Sequence, residues 1–269
     1  MKYAFMSFSA PEASLEDLLD LALRYGFDGV EPRLCQGHGH GISRRLSLRQ
    51  RARARALCED RGVGLSCLAT LCSFSDPRCA ERHHGMAGGY AELAADLGCP
   101  SIRVFGGVIP DGQGRCDAIT RISDALRWAG DAAAAHGVSL CVETHDDWAN
   151  PEDMVQLMQR TGHPAVEVTW DVVHPLRQSE ASLAEVHGLL RPWIRHVHIH
   201  DARFRHDGFE VVPIGEGECA IATAVRLLGE DGYDGYISGE WIDWQPPDIH
   251  LPRELAALRS LEAAAGASA

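Results

Sequence analysis

Four short stretches in the second half of the chain end an apolar run on a side chain able to bind a metal ion or move a proton. They are Leu140-Cys-Val-Glu143, Val168-Thr-Trp-Asp171, His196-Val-His198-Ile-His200-Asp201 and Ile237-Ser-Gly-Glu240. Carboxylates and imidazole without thiolates suit a hard-to-borderline divalent cation, one Mn²⁺, Mg²⁺, Co²⁺ or Zn²⁺ ion. One acid at the end of an apolar run is as often a helix cap or an ion-pair partner. Four in succession require a scaffold that brings run ends together.

That scaffold is legible in the alternation around them. Runs of strand length at Tyr3–Phe8, Gly29–Pro32, Gly64–Thr70, Ser101–Phe105, Ser139–Glu143, Val166–Asp171, His196–Asp201 and Gly235–Glu240 alternate with stretches of helical period. The helices are expected at Ser14–Tyr25, Leu48–Arg61, Cys79–Leu97, Asp117–His136, Pro151–Arg160, Ser182–Arg191, Ile221–Asp231 and Pro252–Ala264. A Ser14-Leu-Glu-Asp17 cap and stops at Gly26, Gly62, Gly98, Gly137 and Gly232 punctuate them. Strict alternation predicts parallel strands, because each crossover needs a helix. Tyr3–Pro11 holds no glycine, so the phosphate-binding turn of an open dinucleotide fold is missing. The expected fold is α/β, a single (β/α)₈ TIM barrel in one domain over residues 1–262, with a frayed tail at Ala263–Ala269. In such barrels the carboxyl ends of the strands build the active site.

Thirty-eight acidic against 25 basic residues give a net charge of -13, which opposes an extended nucleic-acid contact. The basic run from Arg44 to Arg55 reads as a solvated helix face. No apolar stretch approaches the roughly 20 residues of a membrane span, and no leader pattern opens the chain, so a cytoplasmic location is the expectation. Nine scattered cysteines form no CxxC pair, and Cys67, Cys99 and Cys141 read as small buried hydrophobes. The partner expected is a small carbohydrate, with no nucleic acid or membrane; a homo-oligomer is compatible with the sequence.

In order, V-E-T-H, W-D-V-V-H, H-V-H-I-H-D and S-G-E-W, preceded by G-F-D-G-V-E, resemble the xylose isomerase-like TIM-barrel superfamily from Tyr3 to about Trp241. That group holds sugar isomerases, ketose 3-epimerases, hydroxypyruvate isomerases, inosose dehydratases and endonuclease IV. The resemblance implies metal ligands at Glu143, Asp171, His198 and Glu240; His198 is chosen because His198 and Asp201 match a His-x-x-Asp pattern, with His196 as the rival. It also implies that Glu143 and Glu240 form the acid/base pair and that His174 touches a substrate oxygen. Arg203 matches an arginine of some members. A metal chelated by a carbonyl and its neighbouring hydroxyl acidifies the carbon between them, and a carboxylate on each face can remove and return the proton.

Other side chains sit beside these motifs. His38 and His40, in Gln36-Gly-His-Gly-His-Gly41, His145 after Glu143, and Trp241 after Glu240 are candidate substrate contacts. Glu31, Arg33 and Arg103 read equally as barrel ion pairs or substrate contacts. Val211-Val-Pro-Ile-Gly-Glu-Gly217 reads as a structural turn, a short hairpin closing one side of the mouth. Without a phosphate-gripping glycine loop or a lysine cluster, an unphosphorylated sugar, keto-sugar or cyclitol is favoured. The expected activity is metal-dependent isomerisation or epimerisation through an enediolate. The alternatives are a lyase or dehydratase on a keto-sugar, keto-glycoside or inosose, and a non-catalytic sugar-binding barrel.

Overall fold

The computed structural model describes residues 1–34 and 37–267, apart from the side chains of residues 80 and 81. Gln36 of the histidine loop and the last two residues of the tail lie outside the described residues.

In chain order the elements are β1 (Lys2–Met6), α1 (Leu15–Tyr25), β2 (Gly29–Glu31), α2 (Leu48–Arg61), β3 (Gly64–Leu65), β4 (Leu68–Ser73) and α3 (Pro77–Leu97). There follow β5 (Ser101–Phe105), α4 (Arg115–Ala135), β6 (Ser139–Glu143), α5 (Pro151–Thr161), β7 (Val166–Asp171), α6 (His174–Gln178) and α7 (Leu183–Leu190). The chain then runs through β8 (Ile194–Ile199), β9 (Asp201–Arg205), β10 (Gly208–Val212), α8 (Ile221–Glu230), β11 (Tyr236–Gly239) and α9 (Pro247–Gly266). Helix starts follow local chemistry: Ser14 with Asp17, Ser47 with Gln50 and Ser182 with Glu185 form reciprocal caps. Gly26, Gly62, Gly98 and Gly162 end helices in the left-handed conformation.

The strands pair in the order β3-β2-β1-β11-β8-β7-β6-β5-β4, all parallel. β3 and β4 are two parts of the third barrel strand, so the order returns on itself and the sheet is a nearly closed TIM barrel. That strand was expected to be continuous from Gly64 to Thr70. Instead it changes partner: β3 pairs with β2 at Gly29↔Gly64 and Val30↔Leu65, then β4 pairs with β5 from Leu68↔Ile102. Among the described residues a single isolated bridge, Arg33↔Ala69, joins the second and third strands beyond the break.

The structure departs from other expectations as well. The seventh barrel strand ends at Ile199, and from Asp201 the chain leaves the barrel as the antiparallel hairpin β9–β10. The Asp201 carboxylate causes this departure, because it accepts from the backbone N–H groups of Gly215, Gly217 and Cys219 and so ties the hairpin to the following loop. The hairpin is therefore Asp201–Val212, and the loop from Pro213 onward is its anchor. Arg51, in the run read as a solvated face, is buried and donates to Glu92 (3.0 Å) and Asp96 (2.7 Å) of α3. At the C-terminus α9 begins at Pro247 and continues to Gly266, so most of the stretch expected to fray is helical.

Apolar strand and helix faces fill the space between barrel and helical ring, with Trp148, Trp170 and Trp241 among the largest buried side chains. Cys67, Cys99 and Cys141 are buried, and burial pushes their thiols up, away from the reactive thiolate. No helix of the described residues is long and apolar enough to cross a membrane.

Candidate metal centre and active-site mouth

Because β6, β7, β8 and β11 run parallel, their carboxyl ends open on one side. Register places Asp171 opposite His198 and His198 opposite Ser238, two residues before Glu240. The result is a tight cluster: ligand atoms of Glu143, Asp171, His198 and Glu240 all lie within 4.8 Å of one another. His198 Nδ1 is 2.6 Å from Glu143 Oε1 and 3.1 Å from Glu240 Oε2. Asp171 Oδ1 accepts from the Val173 and His174 backbone N–H groups, whereas its Oδ2 is buried and has no hydrogen-bond partner. A buried, unpartnered carboxylate oxygen beside two more carboxylates and an imidazole fits a divalent cation, which would satisfy it and offset the negative excess.

The other face of the His198 ring meets a residue whose role the sequence left open. His198 Nε2 lies 3.0 Å from Glu31 Oε1, and His196 Nε2 lies 2.8 Å from Glu31 Oε2, all three residues being buried. Glu31 therefore holds His198 from behind. The rival histidine, His196, spends its Nε2 on Glu31. Burial opposes ionisation of Glu31, but the two imidazoles overcome it and hold the carboxyl well below the usual range. Burial likewise disfavours the His198 cation, yet Glu31, Glu143 and Glu240 hold its proton well above the usual range. Glu143 and Glu240 stay ionised against burial, helped by Arg103 and His198 for the first and chiefly by His198 for the second. The signal for Glu31 was there, since it closes an apolar strand as Glu143 does.

Above the cluster opens a cleft of about 480 Å³ lined by Glu143, Glu240, Arg33, Arg103, Phe8 and Phe105, among others. His145 is on its rim, paired with Asp146 at 2.9 Å. Burial alone would neutralise His145, but Asp146, Glu143 and Asp171 raise it to about 9. His174 stands against it, ring centroids 4.2 Å apart, and burial lowers its pKa. A charged and a neutral imidazole thus sit side by side. The hairpin supplies Phe209, edge-on to His174 and stacked on His200 at 5.4 Å. His200 is buried with both ring nitrogens unpartnered, 3.9 Å from Asp171 Oδ2.

The remaining candidates sit elsewhere. His38 Nδ1 contacts Ser7 Oγ at 2.8 Å, and His40 uses both ring nitrogens locally, Nε2 on the Arg33 carbonyl (3.1 Å) and Nδ1 accepting from Ile42 N–H (3.0 Å). Both line a neighbouring hollow of about 500 Å³ that shares Arg33 with the cleft. Arg203 is exposed on β9 and donates to the Glu216 carbonyl. Trp241 is buried against His250 and packs on Gly239, where an added Cβ would lie 2.0 Å from its ring. Neither Arg203 nor Trp241 is among the described residues lining the cleft.

Comparison with known proteins gives the fold and the family. A curated relative, the 2-oxo-tetronate isomerase of Pectobacterium atrosepticum, is 27% identical over 157 residues, 56% of this chain and 57% of that protein. The chain thus spans a little over half the length of the curated relatives it matches. An L-ribulose 3-epimerase structure superposes with a TM-score of 0.82 at 18% identity, covering 99% of this chain and 96% of that one. A probable 3-DHS dehydratase of Bacillus anthracis gives 0.78 at 20% identity, covering 97% and 98%. These likenesses carry the fold. The family model described as xylose isomerase-like TIM barrel matches residues 19–263, from the first helix to the last, and the chain belongs to that family.

Proposed function

We propose that this protein is a divalent-metal-dependent isomerase or epimerase of a small keto-sugar or related carbohydrate. The observation that carries the reading is the approach of two ionised carboxylates, Glu143 and Glu240, to the same atom, His198 Nδ1, at the floor of an open cleft. Glu143, Asp171, His198 and Glu240 would hold the metal. A bound divalent cation polarises a carbonyl and acidifies the carbon beside it.

The chain's own residues supply the rest. Glu143 and Glu240 reach the mouth from different strands, so carboxylates are available on two sides of a substrate seated there, one to remove a carbon-bound proton and one to return it. Arg103, 3.4 Å from Glu143 Oε2, keeps that carboxylate ionised. His145, on the cleft rim, can donate a hydrogen bond to a substrate oxygen, with His174 packed against it. The 2-oxo-tetronate isomerase name of the curated relatives supports proton movement beside a carbonyl.

A second reading, a lyase or dehydratase, is favoured by His145 alone. Its ring lies on the cleft rim against Asp146, which raises its pKa, and a protonated imidazole there can give a proton to a departing hydroxyl. Incubating metal-loaded protein in D₂O with ketoses, keto-glycosides and keto-inositols, followed by NMR, separates the two. Isomerisation or epimerisation incorporates deuterium beside a carbonyl without loss of mass, whereas elimination yields an unsaturated carbonyl. Elimination without isomer overturns the first reading, and no exchange across the panel leaves a binding barrel.

A further inference from the structure

Arg33 and Arg103 are 5% and 1% exposed, and both line the cleft above the ligand cluster. Their Nη1 atoms converge on one acceptor, the Thr70 carbonyl, at 2.9 and 3.0 Å. Two positive charges are therefore held side by side out of water. Among the described residues no carboxylate is in ion-pair contact with Arg33, and Arg103 touches one, Glu143 of the ligand cluster, while Glu240, and for Arg33 also Glu31, act on the pair from farther off. The Nε atoms of both guanidinium groups lack hydrogen-bond partners. Phe105 lies under Arg103 at 4.1 Å and under Arg33 at 6.0 Å, with Phe8 at 5.9 Å from Arg33, a cation–π contact that offsets part of the desolvation. Burial first and the neighbouring Arg103 charge second pull Arg33 down to about 10, although Glu143, Glu240 and Glu31 act the other way. A packing ion pair would show the opposite pattern, each guanidinium matched by its own acid.

From this geometry we infer that the cleft takes a short hydroxy-oxo acid, its carboxylate held by Arg33 and Arg103 and its carbonyl over the ligand cluster. The separation selects this anion. Arg103 Nε is 3.4 Å from Glu143 Oε2, so the bound anionic group lies beside the reacting carbon, as in a 2-oxo acid. In a ketose phosphorylated at its far end, the anion is several carbons from the carbonyl. Planar, two-oxygen recognition also suits paired guanidinium groups. The inference rests on the isomerase reading for the role of the carbonyl, but the anion site stands on the two arginines.

The test uses matched four-carbon compounds on the metal-loaded protein. 2-Oxo-tetronate and erythrulose differ by a carboxylate against a hydroxymethyl group, and erythrulose 4-phosphate moves the anion to the far end. The acid is expected to have kcat/KM at least about 100-fold above the neutral ketose, since charge-assisted hydrogen bonds are lost with the carboxylate. Arg33→Gln should lower the acid's value about 10- to 100-fold, mainly through KM, and Arg33→Lys should lose less. Equal or better use of erythrulose or its phosphate overturns the inference, as does an acid-to-ketose ratio unchanged in Arg33→Gln. Calorimetric titration of the wild-type protein with threonate and with threitol needs neither variant nor turnover. Threonate binding without threitol binding, in a protein that converts no compound, keeps the anion site and rejects the isomerase reading. Turnover of erythrulose with no threonate binding keeps the isomerase reading and rejects the anion site.

Discussion

Glu31 and His198, 167 positions apart in the chain, meet inside the barrel with Oε1 3.0 Å from Nε2. A carboxylate can only accept, so Nε2 carries a proton toward Glu31; Nδ1 likewise donates to Glu143 while no metal is bound, and a divalent cation would displace that proton and take the Nδ1 lone pair, with Glu31 still fixing the ring. Glu31→Gln is expected to weaken metal binding about 10- to 100-fold while the barrel still folds, measured by competition with a chromophoric chelator. An unchanged affinity would show that His198 does not depend on Glu31.

Chelator-treated protein should take up about one divalent ion per chain on titration. Removing two of the three carboxylates in a Glu143→Ala, Asp171→Ala double variant should abolish it. Full stoichiometric binding by that variant, read by metal analysis after gel filtration, contradicts the assigned ligand set.

Glu240→Gln leaves an oxygen ligand but no proton carrier. Turnover is expected to fall at least about 100-fold with most of the metal retained. Near wild-type turnover removes Glu240 from the acid/base pair.

His40 links acid stability to the loop after β2. Its folded pKa is lowered from 6.5 to about 4, first by burial and further by His38, while its bond to the Arg33 carbonyl opposes the shift. Protonation would also put a hydrogen on Nδ1, which now accepts from Ile42. Between the two values the unfolded chain binds the proton and the folded one does not, so this contribution is complete above 6.5 and is lost as pH falls toward 4. Denaturant titration should find the cost of His40→Gln smaller by about 2 kcal/mol at about pH 5 than at about pH 7.5. A cost independent of pH sinks this account.

Gly239 precedes Glu240, and an added Cβ would lie 2.0 Å from the Trp241 ring, itself packed against His250. The indole cannot retreat, so Gly239→Ala should cost about 1–3 kcal/mol and shift Glu240 enough to depress turnover. Thermal unfolding and kcat together check it, and a neutral substitution would mean that the β11 end is softer than its packing implies.

Much of the site was legible because strand-end acids are a local signal. Glu143, Asp171 and Glu240 each close an apolar run, and parallel strands must present such ends together. The partner of Glu31 was not legible, since His198 reaches it across the barrel and nothing local marks the pairing. Arg33 and Arg103 look like ordinary strand arginines until Thr70 draws them together. The break at Ser66-Cys67 escaped because apolar residues continue through it, while the change of partner from β2 to β5 is a property of the sheet. Arg51 was misread for the same reason: helix α2 is polar around most of its surface, and only the position of α3 makes one arginine internal.

Arg33 also has a mechanical office. Where the β2–β3 ladder ends, its guanidinium donates to the Ala69 and Thr70 carbonyls, beside the two backbone bonds that the Leu34 N–H and the Pro32 carbonyl make with Ala69 across the seam. The residue that faces the cleft is thus also the stitch that closes the barrel wall. Retuning this mouth for a different ligand through Arg33 therefore loosens the wall as it changes the lining. A lineage or a designer that abandons the guanidinium must first reinforce the joint between the second and third strands, so the order of substitutions, and not only their sum, decides which specificities this barrel can reach.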